Sequence, residues 1–214
     1  MIGDKLIIKD KHRQAADQIV ERILPDLGSS RRIYTIAIAG ESGSGKSETG
    51  QAVADALIRR GFTTLVLQQD DYFVHPPKTN DRTRRQDIGW VGMQEVRLDL
   101  LDEHLQQARS GAEAIVKPLV VYGEDRIVEE TVSLQGIAAV VAEGTYTTVL
   151  ENIDTRVFID LTYLETLQSR LERAREAQDD FLGQVLEIEH RVISAQKSRV
   201  DYLVDKQYQV VDSK

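Results

Sequence analysis

The chain contains no cysteine, which removes disulfides, thiolate zinc sites, iron–sulfur clusters and thiol nucleophiles. No apolar run approaches the ~20 residues that a membrane-spanning helix needs. The first residues, MIGDKLIIKDKHRQ, are too charged for a secretory signal. The expectation is a cytoplasmic protein with no membrane partner. A basic excess is missing too: 27 Lys and Arg stand against 35 Asp and Glu, a formal net charge of −8. That argues against a broad nucleic-acid-binding face and leaves room only for a local basic cleft. The four histidines, His12, His75, His104 and His190, are scattered without metal-ligand spacing.

What is present is ordinary globular composition, 41% apolar and 29% charged over 214 residues. That length fits one domain with a proper core. The reading is a single domain over residues 1–214, with residues 1–32 as an N-terminal helical extension. Short apolar runs read as strands: Ile33–Ala39, Leu65–Leu67, Ile137–Ala142, Arg156–Leu161 and Tyr208–Val211. Between them, apolar residues at helical spacing mark helices around Val53–Ile58, Val96–Leu105, Leu164–Leu171 and Phe181–Ile193. A leading helix over Lys11–Leu24 is expected to stop before Pro25. Alternating strands and helices predict an α/β fold with a central parallel sheet covered on both faces. The unbroken apolar run before Gly40 places its strand inside that sheet. The polar stretch Val74–Gly92, with two prolines, reads as an irregular functional loop.

The strongest signal is Gly40-Glu41-Ser42-Gly43-Ser44-Gly45-Lys46-Ser47, a full match to G-x-x-x-x-G-K-[ST]. A predicted strand ends just before it and a helical pattern starts at Lys46, the context that confirms a phosphate loop. Glycines let backbone N–H groups wrap phosphates, and the helix N-terminus adds positive potential. Lys46 is positioned for the outer phosphates and Ser47 for Mg²⁺. No N-K-x-D guanine motif and no L-S-G-G-Q transporter motif accompanies the loop. The ligands expected are therefore ATP and Mg²⁺, in a P-loop kinase acting on a small molecule. Acids follow three strands: Asp70 and Asp71, Glu143, and Asp160. Ligands of open parallel sheets lie at these carboxyl ends, where a carboxylate can take a hydroxyl proton or hold Mg²⁺.

From Ile33 to Val204 the chain resembles the uridine kinase branch of the P-loop kinases, within the uridine kinase and phosphoribulokinase family. IAIAGESGSGKS looks like the family's opening strand and loop, and Leu67-Gln68-Gln69-Asp70-Asp71-Tyr72-Phe73 like its L-S-Q-D-S-[FY]-[FY] segment. The resemblance implies that Asp70 is the general base. It implies that Glu143, in Glu143-Gly144-Thr145, serves Mg²⁺, and that Asp87 contacts ribose hydroxyls. It also implies that Arg170 and Arg173 belong to a lid over about residues 165–182, contacting the nucleotide. The family's uracil-packing tyrosine falls on Val120, or on Tyr122 after a shift, and its late R-G-R becomes Gln178-Asp179-Asp180. The acceptor implied is a nucleoside-like or other hydroxylated metabolite, with homo-oligomerisation left open. A phosphoribulokinase-like or other metabolite kinase, and a nucleotide-sensing P-loop ATPase without a small acceptor, are the alternatives. Trp90 is a candidate to stack on a substrate ring, and Arg126 to contact substrate. Arg82, Arg84 and Arg85 would either neutralise an acidic substrate or face solvent. Glu187, Glu189 and His190 are further candidates for the cleft.

Overall fold

β1 (Tyr34–Gly40) lies in the middle of a six-stranded sheet of order β2-β5-β1-β6-β7-β8. Its partners are β5 (Ala139–Glu143) and β6 (Thr155–Ile159), both parallel to it, as its apolar run requires. β2 (Thr64–Gln68) is parallel to β5, and β7 (Tyr202–Val204) is parallel to β6. β8 (Val210–Asp212) closes the far edge antiparallel to β7. The computed structural model describes the chain apart from residues 4, 5, 174–178 and 214 and the side chains of residues 169, 172 and 173.

Alternation along β1 divides the core in two. Ile36 and Ile38 enter one cluster, with α1 (Asp10–Ser29) and α2 (Lys46–Arg59). Ala37 and Ala39 enter the other, with Leu101 and Leu105 of α4 (Leu98–Arg109). α1 supplies Ala15, Ala16, Ile19, Val20 and Ile23, all nearly inaccessible, so residues 1–32 contribute directly to the main core.

Three expectations are corrected. α1 does not stop before Pro25 but carries it inside and runs on to Ser29. The missing proline N–H costs one hydrogen bond near the helix end, and burial of Ile23 and Leu27 on either side offsets it. The stretch 74–92 is largely regular: α3 (Pro77–Gln86) fills it, followed by 3₁₀ turns at Ile88–Trp90 and Met93–Glu95. α3 buries only Asn80, so it has no apolar stripe to announce it. A separate antiparallel hairpin, β3 (Ala114–Val121) and β4 (Arg126–Ser133), was not foreseen, nor was β7. Lys117 occupies an inward position of β3 and Pro118 interrupts its pattern; a two-stranded ribbon has only edge strands, where proline is tolerated. The last strand begins at Val210 rather than at Tyr208, whose φ of 59° is left-handed. In the C-terminal third, α5 (Leu167–Arg173) and α6 (Asp180–Ser194) follow the predicted helical patterns.

Candidate active site

The chain leaves β1 at Gly40 and re-enters helix at Lys46, so Glu41–Gly45 forms a tight loop at the carboxyl end of the sheet. Gly43 and Gly45 have φ of +77° and +89°. A Cβ at Gly43 would stand 2.8 Å from Cγ of Arg170, and one at Gly45 would stand 2.8 Å from the Tyr208 hydroxyl. Both the conformation and the close approach require glycine there.

The loop is braced from three sides. Tyr208 donates its hydroxyl proton to the Ser44 carbonyl at 2.7 Å, and Thr166 donates to the Ser42 carbonyl at 2.7 Å. Glu41 is buried, accepts from Tyr163 N at 2.6 Å and pairs with His190 Nδ1 at 2.6 Å. Lys46 Nζ donates to the Glu41 carbonyl at 3.1 Å. Arg170 lies across Gly43 and donates to the Tyr163 carbonyl and to Thr166 Oγ1. The side chain of Arg173, and Gln178, lie outside the described residues.

A cleft of about 510 Å³ opens in front of this loop, and its wall holds Lys46, Ser47, Asp70 and Glu143 together. Ser47 Oγ donates to Glu143 Oε2 at 3.2 Å, a hydroxyl and a carboxylate side by side at the end of β5. The two adjacent aspartates separate completely. Asp70 faces the cleft, whereas Asp71 is buried, accepting from Lys117 Nζ at 3.0 Å and from Val120 N at 2.9 Å. Asp71 thus holds the β3–β4 hairpin against the turn after β2. Asp160 pairs with Lys197 instead of reaching the cleft.

The far wall comes from α3 and α6. Arg84 lines the cleft and is held by Glu95, which accepts from its Nε at 2.5 Å and its Nη2 at 3.1 Å. Glu95 is fully buried and also accepts from Asn80 Nδ2 and from Gly92 N. Glu189 of α6 accepts from Arg84 at 3.2 Å and lines the cleft. Glu187 instead pairs with Arg191 on the exposed side of α6.

Of the substrate candidates, Tyr122 lines the cleft, but Asp87, Trp90 and Arg126 are not among its lining residues. Asp87 is exposed and caps the 3₁₀ turn through Gly89 N at 2.9 Å. Trp90 donates Nε1–H to Asn80 Oδ1 at 2.9 Å and packs beside His75. Arg126 pairs with Glu124 in the open hairpin turn. Sequence reasoning missed Tyr208, Thr166, Glu95 and Asn80, whose partners are distant or lie on a helix with no periodic signal.

Comparison with known proteins follows the same lines. The Phosphoribulokinase / Uridine kinase family matches residues 35–212, and the chain belongs to that family. It is 26% identical over 193 residues to the bifunctional alpha-galactosidase/sucrose kinase AgaSK of Mediterraneibacter gnavus, covering 84% of this chain and 21% of that protein. It is 28% identical over 149 residues to a uridine kinase of Schizosaccharomyces pombe, covering 67% of this chain and 32% of that one. The chain therefore spans between a fifth and a third of the length of these relatives. Among solved structures, a possible uridine kinase from Bacillus stearothermophilus superposes with a TM-score of 0.64 at 18% identity, over 89% of this chain and 97% of that one. A D-glycerate 3-kinase from Cryptococcus neoformans var. grubii gives 0.59 at 15% identity, over 94% and 97%. At these identities the structural likeness carries the fold.

Proposed function

We propose that this member of the phosphoribulokinase/uridine kinase family transfers the γ-phosphoryl group of ATP to a hydroxyl of a small acceptor. One observation carries the reading: Asp70 faces the same cleft as the phosphate loop, beside Lys46, Ser47 and Glu143. A nucleotide sensor needs the loop but has no use for a carboxylate turned towards an open acceptor space.

The geometry supports the following roles. The backbone N–H groups of Glu41–Gly45 and the N-terminus of α2 bind phosphate oxygens, and Lys46 adds a fixed positive charge. Ser47 and Glu143 suit Mg²⁺, which is content with a hydroxyl, one carboxylate, water and phosphate oxygens. Among the described residues no group of three or more His, Cys, Asp or Glu could hold a metal ion. When bound, Mg²⁺ supplies charge neutralisation across the phosphates. Asp70 accepts the proton of the acceptor hydroxyl as that oxygen attacks phosphorus. Arg170, beside Gly43, is assigned as a lid cation; Arg173 and a lid over about residues 165–182 rest on the family resemblance, the Arg173 side chain and residues 174–178 lying outside the described residues. Tyr122, which lines the cleft, is assigned to the acceptor. No helix among the described residues is long and apolar enough to cross a membrane. Relatives and neighbours are named for sucrose, uridine and D-glycerate, so family membership alone leaves the acceptor open.

The test is product detection by mass spectrometry over a panel of nucleosides, sugars, sugar phosphates and hydroxy acids with ATP·Mg²⁺. Lys46→Ala is expected to lower turnover by about 10²–10³, the usual loss for one electrostatic contact to a transferring group. ADP formation indifferent to every acceptor would instead favour the sensor.

A further inference from the structure

Four cations that line the cleft, Lys78, Arg82, Arg84 and Arg85, stand on α3. Two of them are committed to internal carboxylates. Arg84 is fixed by Glu95 and Glu189, and Arg85 bridges Asp81 and Asp179 at 2.9 and 3.0 Å. Those pairs also occupy Asp81 and Glu189, the two acids on the same stretch of wall.

Lys78 and Arg82 differ. They are four residues apart, so they share one face of the helix. Lys78 Nζ reaches the Gly123 carbonyl at 3.4 Å and has no carboxylate within ion-pair distance among the described residues. Arg82 meets Asp125 at a long 3.7 Å, with its side chain 69% exposed. Asp125 is itself engaged: it accepts from Lys78 N at 2.7 Å, Thr79 N at 3.3 Å and Thr79 Oγ1 at 2.8 Å. Although burial pulls its pKa upwards, the Thr79 hydroxyl, these two amides and Arg82 hold the carboxyl below its ordinary range. Its charge serves to pin the hairpin turn to the start of α3. The cleft is thus left with two adjacent, weakly compensated cations on the wall that also carries the fixed Arg84.

We infer that the acceptor is an anionic hydroxyl compound, its carboxylate or phosphate seated on Lys78 and Arg82 while its hydroxyl meets Asp70. This rests on the kinase reading and narrows it to one class of acceptor. Charge-assisted hydrogen bonds are the strong kind, and a site built to make them discriminates against analogues that cannot. A neutral sugar or nucleoside would bring neither cation a charge partner, leaving Lys78 with the Gly123 carbonyl and Arg82 with Thr79 Oγ1 at 2.7 Å and the distant Asp125.

The experiment compares matched pairs: hydroxy acids with their primary amides, and sugar phosphates with their free sugars. Each compound is followed by kcat/KM for phosphorylation and, separately, by calorimetric binding to the protein without ATP. The charged member is expected to win by about tenfold to a hundredfold, the span of one or two hydrogen bonds to a charged group. The Lys78→Ala/Arg82→Ala double variant should bring the ratio near one, and Lys78→Arg/Arg82→Lys should restore it, separating charge from packing. The acid arm and the phosphate arm decide which anion fits. Phosphorylation confined to neutral members keeps the kinase reading and overturns the inference. Charge-selective binding that depends on Lys78 and Arg82, but without transfer to any acceptor, keeps the inference and refutes the kinase reading. No preference for charge in either measurement, or a preference that survives the double alanine variant, overturns the inference.

Discussion

Replacing Glu95 with alanine removes the carboxylate on which the acceptor wall is hung. Glu95 has no accessible surface, and it accepts two hydrogen bonds from Arg84, one from Asn80 and one from Gly92 N. Its loss takes the two-bonded carboxylate from a guanidinium whose side chain is only 13% exposed, with Glu189 at 3.2 Å still beside it. Breaking a buried pair from one side costs roughly 3–5 kcal/mol, because the surviving charge stays desolvated. The orphaned Asn80 amide and Gly92 N–H add about 1–3 kcal/mol each when no water reaches them, and such terms do not sum within one network. An overall loss of about 3–5 kcal/mol is expected, a large part of the ~5–15 kcal/mol that holds a domain folded. Urea unfolding measures it as a lower midpoint at unchanged slope. Trp90, the single tryptophan, bonds to Asn80 within the same network, so its fluorescence reports the site directly. Glu95→Leu combined with Arg84→Met should regain only part of the loss, since no guanidinium is then buried without Glu95 but the Asn80 and Gly92 donors and Glu189 have still lost their partners. A Glu95→Ala variant within about 1 kcal/mol of the parent would refute this reasoning, because it would mean that the pair is solvated and the wall is held by other contacts.

Tyr208→Phe deletes one hydrogen bond to the Ser44 carbonyl, worth about 1 kcal/mol, and should weaken ATP binding about fivefold by titration while leaving the acceptor KM unchanged. His104 is held below its ordinary pKa of 6.5, chiefly by burial, and shares a hydrogen bond with Tyr72. Its folded form resists protonation, so its contribution is complete above pH 6.5 and is lost as pH falls through the lowered folded value. His104→Gln should flatten the pH dependence of the melting temperature between pH 6.5 and the lowered folded value; an identical slope in both proteins over that window would contradict the assignment.

The phosphate loop was legible because its chemistry is local: strand, glycines, Lys46 and Ser47 are contiguous, and the helix starts where the spacing said. The interior place of β1 was legible because an unbroken apolar strand has to be covered on both faces. α3 was not, since a helix lining a cleft instead of a core carries no apolar period. The hairpin was obscured by Lys117, an inward lysine that makes sense only once Asp71 is known to meet it. The same pairing explains why Asp70 and Asp71 look equivalent in sequence and differ in space. The braces behind the loop join residues far apart in the chain, such as Ser44 to Tyr208 and Glu41 to His190, and no spacing rule reaches that distance. Asp87 matched a family position by sequence and Trp90 was a candidate to stack on a substrate ring, yet local capping and the Asn80 contact engage them outside the cleft lining.

The central claim is that Asp70 is a base facing an acceptor, and Asp70→Asn tests it most directly, since asparagine keeps the shape but cannot take a proton. The measurement is single-turnover phosphoryl transfer at saturating acceptor, with ATP·Mg²⁺ affinity titrated on the same protein. Transfer should fall by about 10²–10⁴ with ATP affinity held within a few-fold. Asp71→Asn, which weakens the buried contact to Lys117, should appear chiefly as lost stability. Transfer by Asp70→Asn at near-parental rate, or a fall in transfer matched by an equal fall in ATP affinity, would contradict the assignment of Asp70 as the base.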